Sequence, residues 1–162
     1  MKFAVPMLVV AGIAALWSPS TPVLVWNATA SAPVGLYELR QTDSIARGDL
    51  VLVEAPEDAR KLAAKRGYLP AGVPLVKRIA ALADDTVCSF GNRIIINGNP
   101  VATRLSADTQ GRPLPSWHGC YRLKRDQAFL LMAYVPDSFD GRYFGPVRRA
   151  AILGTLRPLW TH

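Results

Sequence analysis

Ser31 stands in Ala30-Ser31-Ala32-Pro33-Val34-Gly35, between small residues and just ahead of a proline and a glycine. That composition gives a sharply turned, exposed backbone that an extended polypeptide can approach closely. A serine hydroxyl is a weak nucleophile near neutral pH and needs a base. The candidate base is Lys77, in Leu75-Val76-Lys77-Arg78-Ile79. Strand alternation puts Lys77 on the side of Leu75 and Ile79, and Arg78 on the side of Val76 and Ala80. One of the two cations must then face an apolar layer or a cleft. Desolvation pushes a lysine toward its neutral, proton-accepting form, whereas a guanidinium keeps its proton. Without catalysis, Ser31 is a plain turn residue and Lys77 reaches to solvent from an edge strand.

Other chemistries lack their residues. The chain holds two histidines, His118 and His162. A zinc site would need Cys88, Cys120 and His118 to converge, at a spacing that matches no usual ligand pattern. There is no phosphate-binding loop and no dinucleotide fingerprint. A Ser-His-Asp triad would have to recruit His118 from a proline-rich stretch, where a solvated imidazole is the simpler account. No metal and no cofactor are expected.

The elements that must position Ser31 and Lys77 read mostly as strands. Residues 35–39 follow a proline and begin one, and Gly48-Asp49 turns into a β-branched run at 50–54. Pro56 then opens the one clear helix outside the N-terminus, 57–66, with acids at its start, Lys65 and Arg66 at its end and Gly67 as a stop. A strand over 75–82 ends at Asp84-Asp85. Residues 86–90 and 93–97 flank Gly91-Asn92 as a hairpin, and Asn97-Gly98-Asn99 is a further tight turn. The stretch 102–117 is polar, rich in Pro and Gly, and reads as a surface loop. Later strands are expected at 127–135 and 151–156. The sum is a mainly β, antiparallel domain.

Composition agrees with one globular unit. The 162 residues are 50% hydrophobic, with 13 prolines and 12 glycines, which excludes a disordered chain and disfavours a helical bundle. The net charge is +7, but the basic residues are scattered, without interleaved aromatics or a helix-turn-helix pattern. A lipid surface or a solvated basic face therefore fits better than nucleic acid. After Lys2 no charge appears until Glu38, and residues 3–17 are almost wholly apolar. Pro19 and Pro22 interrupt this run before a second one at 23–26. Two readings follow: an uncleaved anchor that ends near Trp17 or tilts on to Trp26, or a removable leader cut at Ala28-Thr29-Ala30. Both export the rest of the chain. In an exported domain Cys88 and Cys120 are expected to form a disulfide; the alternative is two buried thiols.

Four segments, in order, resemble the type I signal peptidase superfamily of serine–lysine endopeptidases, and within it the short conjugal-transfer branch of the TraF type. They are the segment from Thr29 to Tyr37, Arg47-Gly48-Asp49-Leu50-Val51, Leu75-Val76-Lys77-Arg78-Ile79, and the segment from Asp137 to Gly145. The Ala32-Pro33 pair after the serine matches the conjugal branch; general signal peptidases carry Met there and place the proline one position later. The last motif lacks the family's Gly-Asp-Asn start and reads Met132-Ala133-Tyr134-Val135-Pro136 instead.

The resemblance implies a signal-peptidase-like β domain over 27–162 behind an N-terminal membrane helix within 1–26. It casts Ser31 as nucleophile and Lys77 as general base. Thr29 and the Ser31 N–H become oxyanion donors, Ser138 the hydroxyl that aims the lysine, and Asp140 with Arg142 a supporting pair. It also argues for an uncleaved anchor, because a cut after Ala30 would remove Thr29. The implied protein sits in the inner membrane with its catalytic domain on the periplasmic side. Its partners are the lipid membrane and a precursor, a conjugative pilin, with small residues near the cut. The alternatives are a general signal peptidase of secreted precursors and a non-catalytic exported β domain. Self-cleaving repressors share the dyad chemistry, but the chain has no DNA-binding module.

Overall fold

The computed structural model describes residues 23–41 and 44–162. The first described residues form a strand, β1 (Val23–Asn27), which pairs antiparallel with β2 (Gly35–Arg40), so that Asn27 lies opposite Gly35. An apolar run such as 23–26 fits a helix or a strand equally well. The neighbouring edge of β2 decides it, and an anchor helix does not continue to Trp26. The anchor expected over 3–17 lies outside the described residues, and no described helix is long and apolar enough to cross a membrane.

The remaining strands are β3 (Leu50–Val53), β4 (Leu75–Ala81), β5 (Thr86–Phe90), β6 (Arg93–Ile96), β7 (Asn99–Thr103), β8 (Gly119–Arg122), β9 (Gln127–Leu130), β10 (Val147–Arg148) and β11 (Ile152–Thr161). Seven of them make one sheet in the order β1-β2-β11-β3-β4-β9-β10. The other four make a second sheet, β7-β6-β5-β8. The expected antiparallel architecture is present throughout the paired strands. Ala32, Tyr37, Leu52, Val76, Met132 and Leu156 form one apolar cluster, which ties the stretch after Ser31 to β3, β4 and β11. Ala81, Val87, Ile94, Leu123, Phe129 and Leu131 form another, which seats the second sheet on β4 and β9.

Helix α1 (Glu57–Arg66) matches its expected bounds. Gly67 ends it in the left-handed conformation, and Tyr68 N bonds back to Ala63 O at 2.9 Å. Two strand ends differ from expectation by more than one residue. β9 stops at Leu130 because Asp140 takes the Met132 N–H, at 2.9 Å, and the chain turns there. β11 runs on to Thr161, and a register shift between Pro158 and Trp160 accommodates a proline that cannot donate to the ladder. A second helix, α2 (Gly141–Phe144), carries too few residues to show a period and is capped by Asp140. Most of the 102–117 stretch is a loop, as expected, but it is tied to α1. Arg66 donates to Pro113 O at 2.8 Å, and the Tyr68 hydroxyl donates to Asp108.

Cys88 and Cys120 face each other across β5 and β8 and form the expected disulfide. With a sequence separation of 32, the crosslink contributes about 3–4 kcal/mol in the chain-entropy account. Replacing both cysteines with serine is expected to lower the unfolding free energy by about that amount, read from urea midpoints at unchanged slope.

Candidate active site

Ser31 sits in the turn between β1 and β2, and Asn27 shapes that turn. The Asn27 carboxamide is almost fully buried. Its Nδ2 donates to the carbonyls of Thr29 (3.0 Å), Ala32 (3.1 Å) and Pro33 (3.0 Å). Its Oδ1 accepts from Thr29 N at 3.1 Å and from Thr29 Oγ1 at 2.8 Å. The Tyr37 hydroxyl donates to Pro33 O at 2.6 Å and fastens the far end of the turn. Gly35 closes it where no side chain fits: a Cβ there would lie 2.1 Å from Trp160 O, and φ is +153°. Within this frame Thr29 Oγ1 lies 3.3 Å from Ser31 Oγ.

Lys77 comes from β4, where it pairs with Val51 of β3. It is 2% exposed while its neighbour Arg78 is exposed, so of the two cations that the sequence places on opposite sides of the strand the lysine is the one that faces inward. Arg78 instead donates to Gly48 O in the turn before β3. Lys77 Nζ lies 2.8 Å from Ser31 Oγ. Burial pulls the lysine pKa down to about 8, Asp140 and Asp137 pull it up, and Arg142 pushes it down further. A neutral amine within hydrogen-bond reach of a serine hydroxyl can accept that proton as the oxygen attacks a carbonyl.

The third group of expected residues lies on the segment after β9. Asp140 and Arg142 form a buried pair: Arg142 Nε meets Asp140 Oδ1 and Nη2 meets Oδ2, each at 2.9 Å. Arg142 also donates to the carbonyls of Met132 (2.8 Å), Val135 (2.7 Å) and Pro136 (3.0 Å). It gathers the whole 132–138 turn around one guanidinium. Ser138 rides on that turn. Its Oγ is buried and, among the described residues, is the buried side-chain polar atom without a hydrogen-bond partner. The expected bond from Ser138 to Lys77 is therefore not made, and at 2.8 Å the lysine is held by Ser31 instead. Cys88 and Cys120 lie in the second sheet and play no part here.

Sequence reasoning missed Asn27. It stands at the margin of the apolar N-terminal run, and its partners are main-chain carbonyls that leave no trace in residue types. The one available signal was an asparagine four residues before a serine in a turn-forming stretch.

The family described as signal peptidase, peptidase S26, matches residues 1–160. A plasmid transfer protein TraF of Escherichia coli is 34% identical over 95% of this chain and 93% of its own length. A probable conjugal transfer protein TraF of Sinorhizobium fredii is 35% identical over 96% of this chain and 85% of its own. A conjugal transfer protein TraF of Agrobacterium fabrum is 35% identical over 83% of this chain and 81% of its own. A crystal structure of a signal peptidase I from Enterococcus faecalis is also similar, at 19% identity and a TM-score of 0.41, covering 71% of this chain and 98% of its own. Near-complete coverage by both the family and its TraF relatives means that the chain belongs to the peptidase S26 signal peptidase family and resembles its conjugal-transfer members.

Proposed function

We propose that the chain is a membrane-anchored serine endopeptidase that cleaves an exported precursor, a conjugative pilin, through an acyl-enzyme on Ser31. The observation that carries this is the 2.8 Å approach of a buried Lys77 to Ser31 Oγ. A small-residue segment of the precursor lies extended beside the catalytic strands, bound by main-chain pairing, with shallow pockets for small side chains. Ser31 Oγ attacks the scissile carbonyl carbon as its proton passes to Lys77 Nζ. The Ser31 N–H and the Thr29 hydroxyl receive the oxyanion. The intermediate collapses, the C–N bond breaks, and Lys77 returns the proton to the leaving amine. Water then attacks the ester with Lys77 again as base, or an amine of the same precursor attacks and closes a ring.

The membrane part of the proposal draws on an apolar surface beside the Ser31 turn. Val23, Leu24 and Trp26 of β1 and Leu159 and Trp160 of β11 are exposed, and the Trp26 and Trp160 rings lie 6.0 Å apart. Such a patch suits a lipid interface, where indoles settle at headgroup level. The apolar 3–17 run lies a few residues upstream and supplies the anchor, with the catalytic domain on the periplasmic side of the inner membrane.

Mass spectrometry of a candidate pilin co-expressed with the chain tests the proposal. A new terminus after a small residue is expected with the wild type and not with Ser31→Ala; an unprocessed pilin in both would overturn the assignment. The family description favours a second reading, a general signal peptidase. Cleavage of many unrelated secreted precursors would select it. The base assignment also fixes a pH profile. Lys77 must be neutral to act, so kcat/KM for cleavage is expected to rise about tenfold per pH unit below a midpoint near 8 and to level above it. A profile that falls between pH 6 and 8 would exclude this base.

A further inference from the structure

The hydrogen bonds around Ser31 have a direction that chemistry alone assigns. Main-chain carbonyls can only accept and the Thr29 N–H can only donate, so the Asn27 carboxamide has one possible orientation. Its Oδ1 is then an acceptor, and the Thr29 hydroxyl 2.8 Å away is the donor. That commits the Thr29 proton, so at the 3.3 Å contact Ser31 donates to Thr29. Lys77 in turn donates to Ser31 across 2.8 Å. The result is one chain, Lys77 to Ser31 to Thr29 to Asn27, with every proton pointing away from the lysine. It is the resting arrangement, because a nucleophile needs its proton turned toward the base.

We infer that Asn27 is a positioning residue of the reaction: it fixes the Ser31 turn through three carbonyls and holds the Thr29 hydroxyl proton in reserve for the oxyanion. The inference rests on the Ser31–Lys77 reading above. When Lys77 is neutral, the Ser31 proton turns to its lone pair and the Thr29 oxygen loses its donor. As negative charge builds on the substrate oxygen, the Thr29 hydroxyl swings from Asn27 toward it. Asn27 Oδ1 still accepts the Thr29 N–H and is never left unpaired, which keeps that swing inexpensive. The three carbonyl bonds hold the turn while the hydroxyl moves.

The test uses the full chain in detergent with a fluorogenic peptide carrying an Ala-Xaa-Ala cleavage sequence. Asn27→Ala is expected to lower kcat about 100-fold and to leave KM within about twofold, because the turn aims the nucleophile and the substrate binds elsewhere. Thr29→Ala is expected to lower kcat by a similar factor of about 100. The double variant should fall at least about tenfold short of the product of the two losses, since one residue acts through the other. Independent losses, or a loss in KM alone, would overturn the inference. Asn27→Asp supplies a second readout. It removes the three donated bonds and places a carboxylate at the far end of the chain from Lys77, which Asp137, Asp140 and Arg142 already face. The midpoint of kcat/KM against pH should then move above its wild-type position, and an unmoved midpoint overturns the inference even if Asn27→Ala does not fold. Full activity in Lys77→Ala would remove the dyad and this inference together. A dead Lys77→Ala beside a fully active Asn27→Ala would remove this inference alone.

Discussion

Lys77→Met is expected to abolish precursor cleavage, lowering kcat/KM by about 10⁴–10⁶, and at the same time to raise the melting temperature. The first effect follows from the proposed dyad, since without a base within 2.8 Å the Ser31 hydroxyl keeps its proton. Ser31→Ala should match it in size, and the two changes together should be little worse than either, because the residues act as one unit. The second effect follows from burial. The folded pKa of Lys77 is about 8, below the ordinary 10.5, so the folded chain binds this proton more weakly than the unfolded one. Below pH 8 the buried ammonium therefore costs stability, roughly 3 kcal/mol at most. That cost fades as pH rises from 8 toward 10.5. A methionine of similar length removes the charge and keeps the packing. At pH 7 it should raise the melting temperature by about 2–4 °C per kcal/mol recovered, and the gain should shrink above pH 8. Calorimetry at pH 7 and pH 10, beside a cleavage assay, checks both. A Lys77→Met protein that is inactive and also less stable would mean that the lysine serves the fold, and the catalytic assignment would fail.

Ser31 and Lys77 were legible because the features that place them are local. A proline and a glycine after the serine announce the turn, period-two alternation in β4 sends one of Lys77 and Arg78 inward, and of the two only a lysine can serve as a base. Helix α1 was legible for the same reason, with its charges sorted by end and a glycine to stop it. What stayed hidden depends on partners far away in the chain or on main-chain atoms. The run at 23–26 became β1 because β2 offers it a free edge. The end of β9 was set by a carboxylate ten residues further along, at Asp140, which takes an N–H that the ladder would otherwise use. Asn27 has five hydrogen bonds, all within its own turn, and a sequence records none of the carbonyls that receive three of them. Ser138 shows the converse: the motif names a hydroxyl for the lysine, and the structure buries that hydroxyl without giving it a partner.

Arg142→Ala is expected to destabilise the domain by about 3–5 kcal/mol, enough to unfold a marginal protein. Asp140 is 0% exposed and Arg142 1%, so neither charge can turn to water when its partner is lost. Removing the guanidinium leaves a buried carboxylate with main-chain donors alone, from Met132 and residue 142 itself. It also removes the donor from the Pro136 carbonyl and leaves the Met132 and Val135 carbonyls with a main-chain N–H alone. Arg142→Lys should recover little, because an ammonium cannot reach both carboxylate oxygens and three carbonyls from one plane. The fold and the proposed dyad are coupled here. Arg142 pushes the Lys77 pKa down and Asp140 pulls it up, so loss of the arginine alone leaves the lysine more basic. Any Arg142→Ala protein that folds should therefore reach full kcat/KM only at a pH above the wild-type midpoint, whereas Arg142→Lys, which keeps a cation there, should shift it less. Replacing Asp140 and Arg142 together with Asn and Met removes both charges. That variant should be more stable than Arg142→Ala, because no lone charge stays buried. Urea midpoints for the three variants, with the pH profile of whichever remain folded, separate a pair that merely fills space from one that holds the 132–138 turn and sets the charge of Lys77. Equal stability of Arg142→Ala and wild type would refute the structural half of this argument.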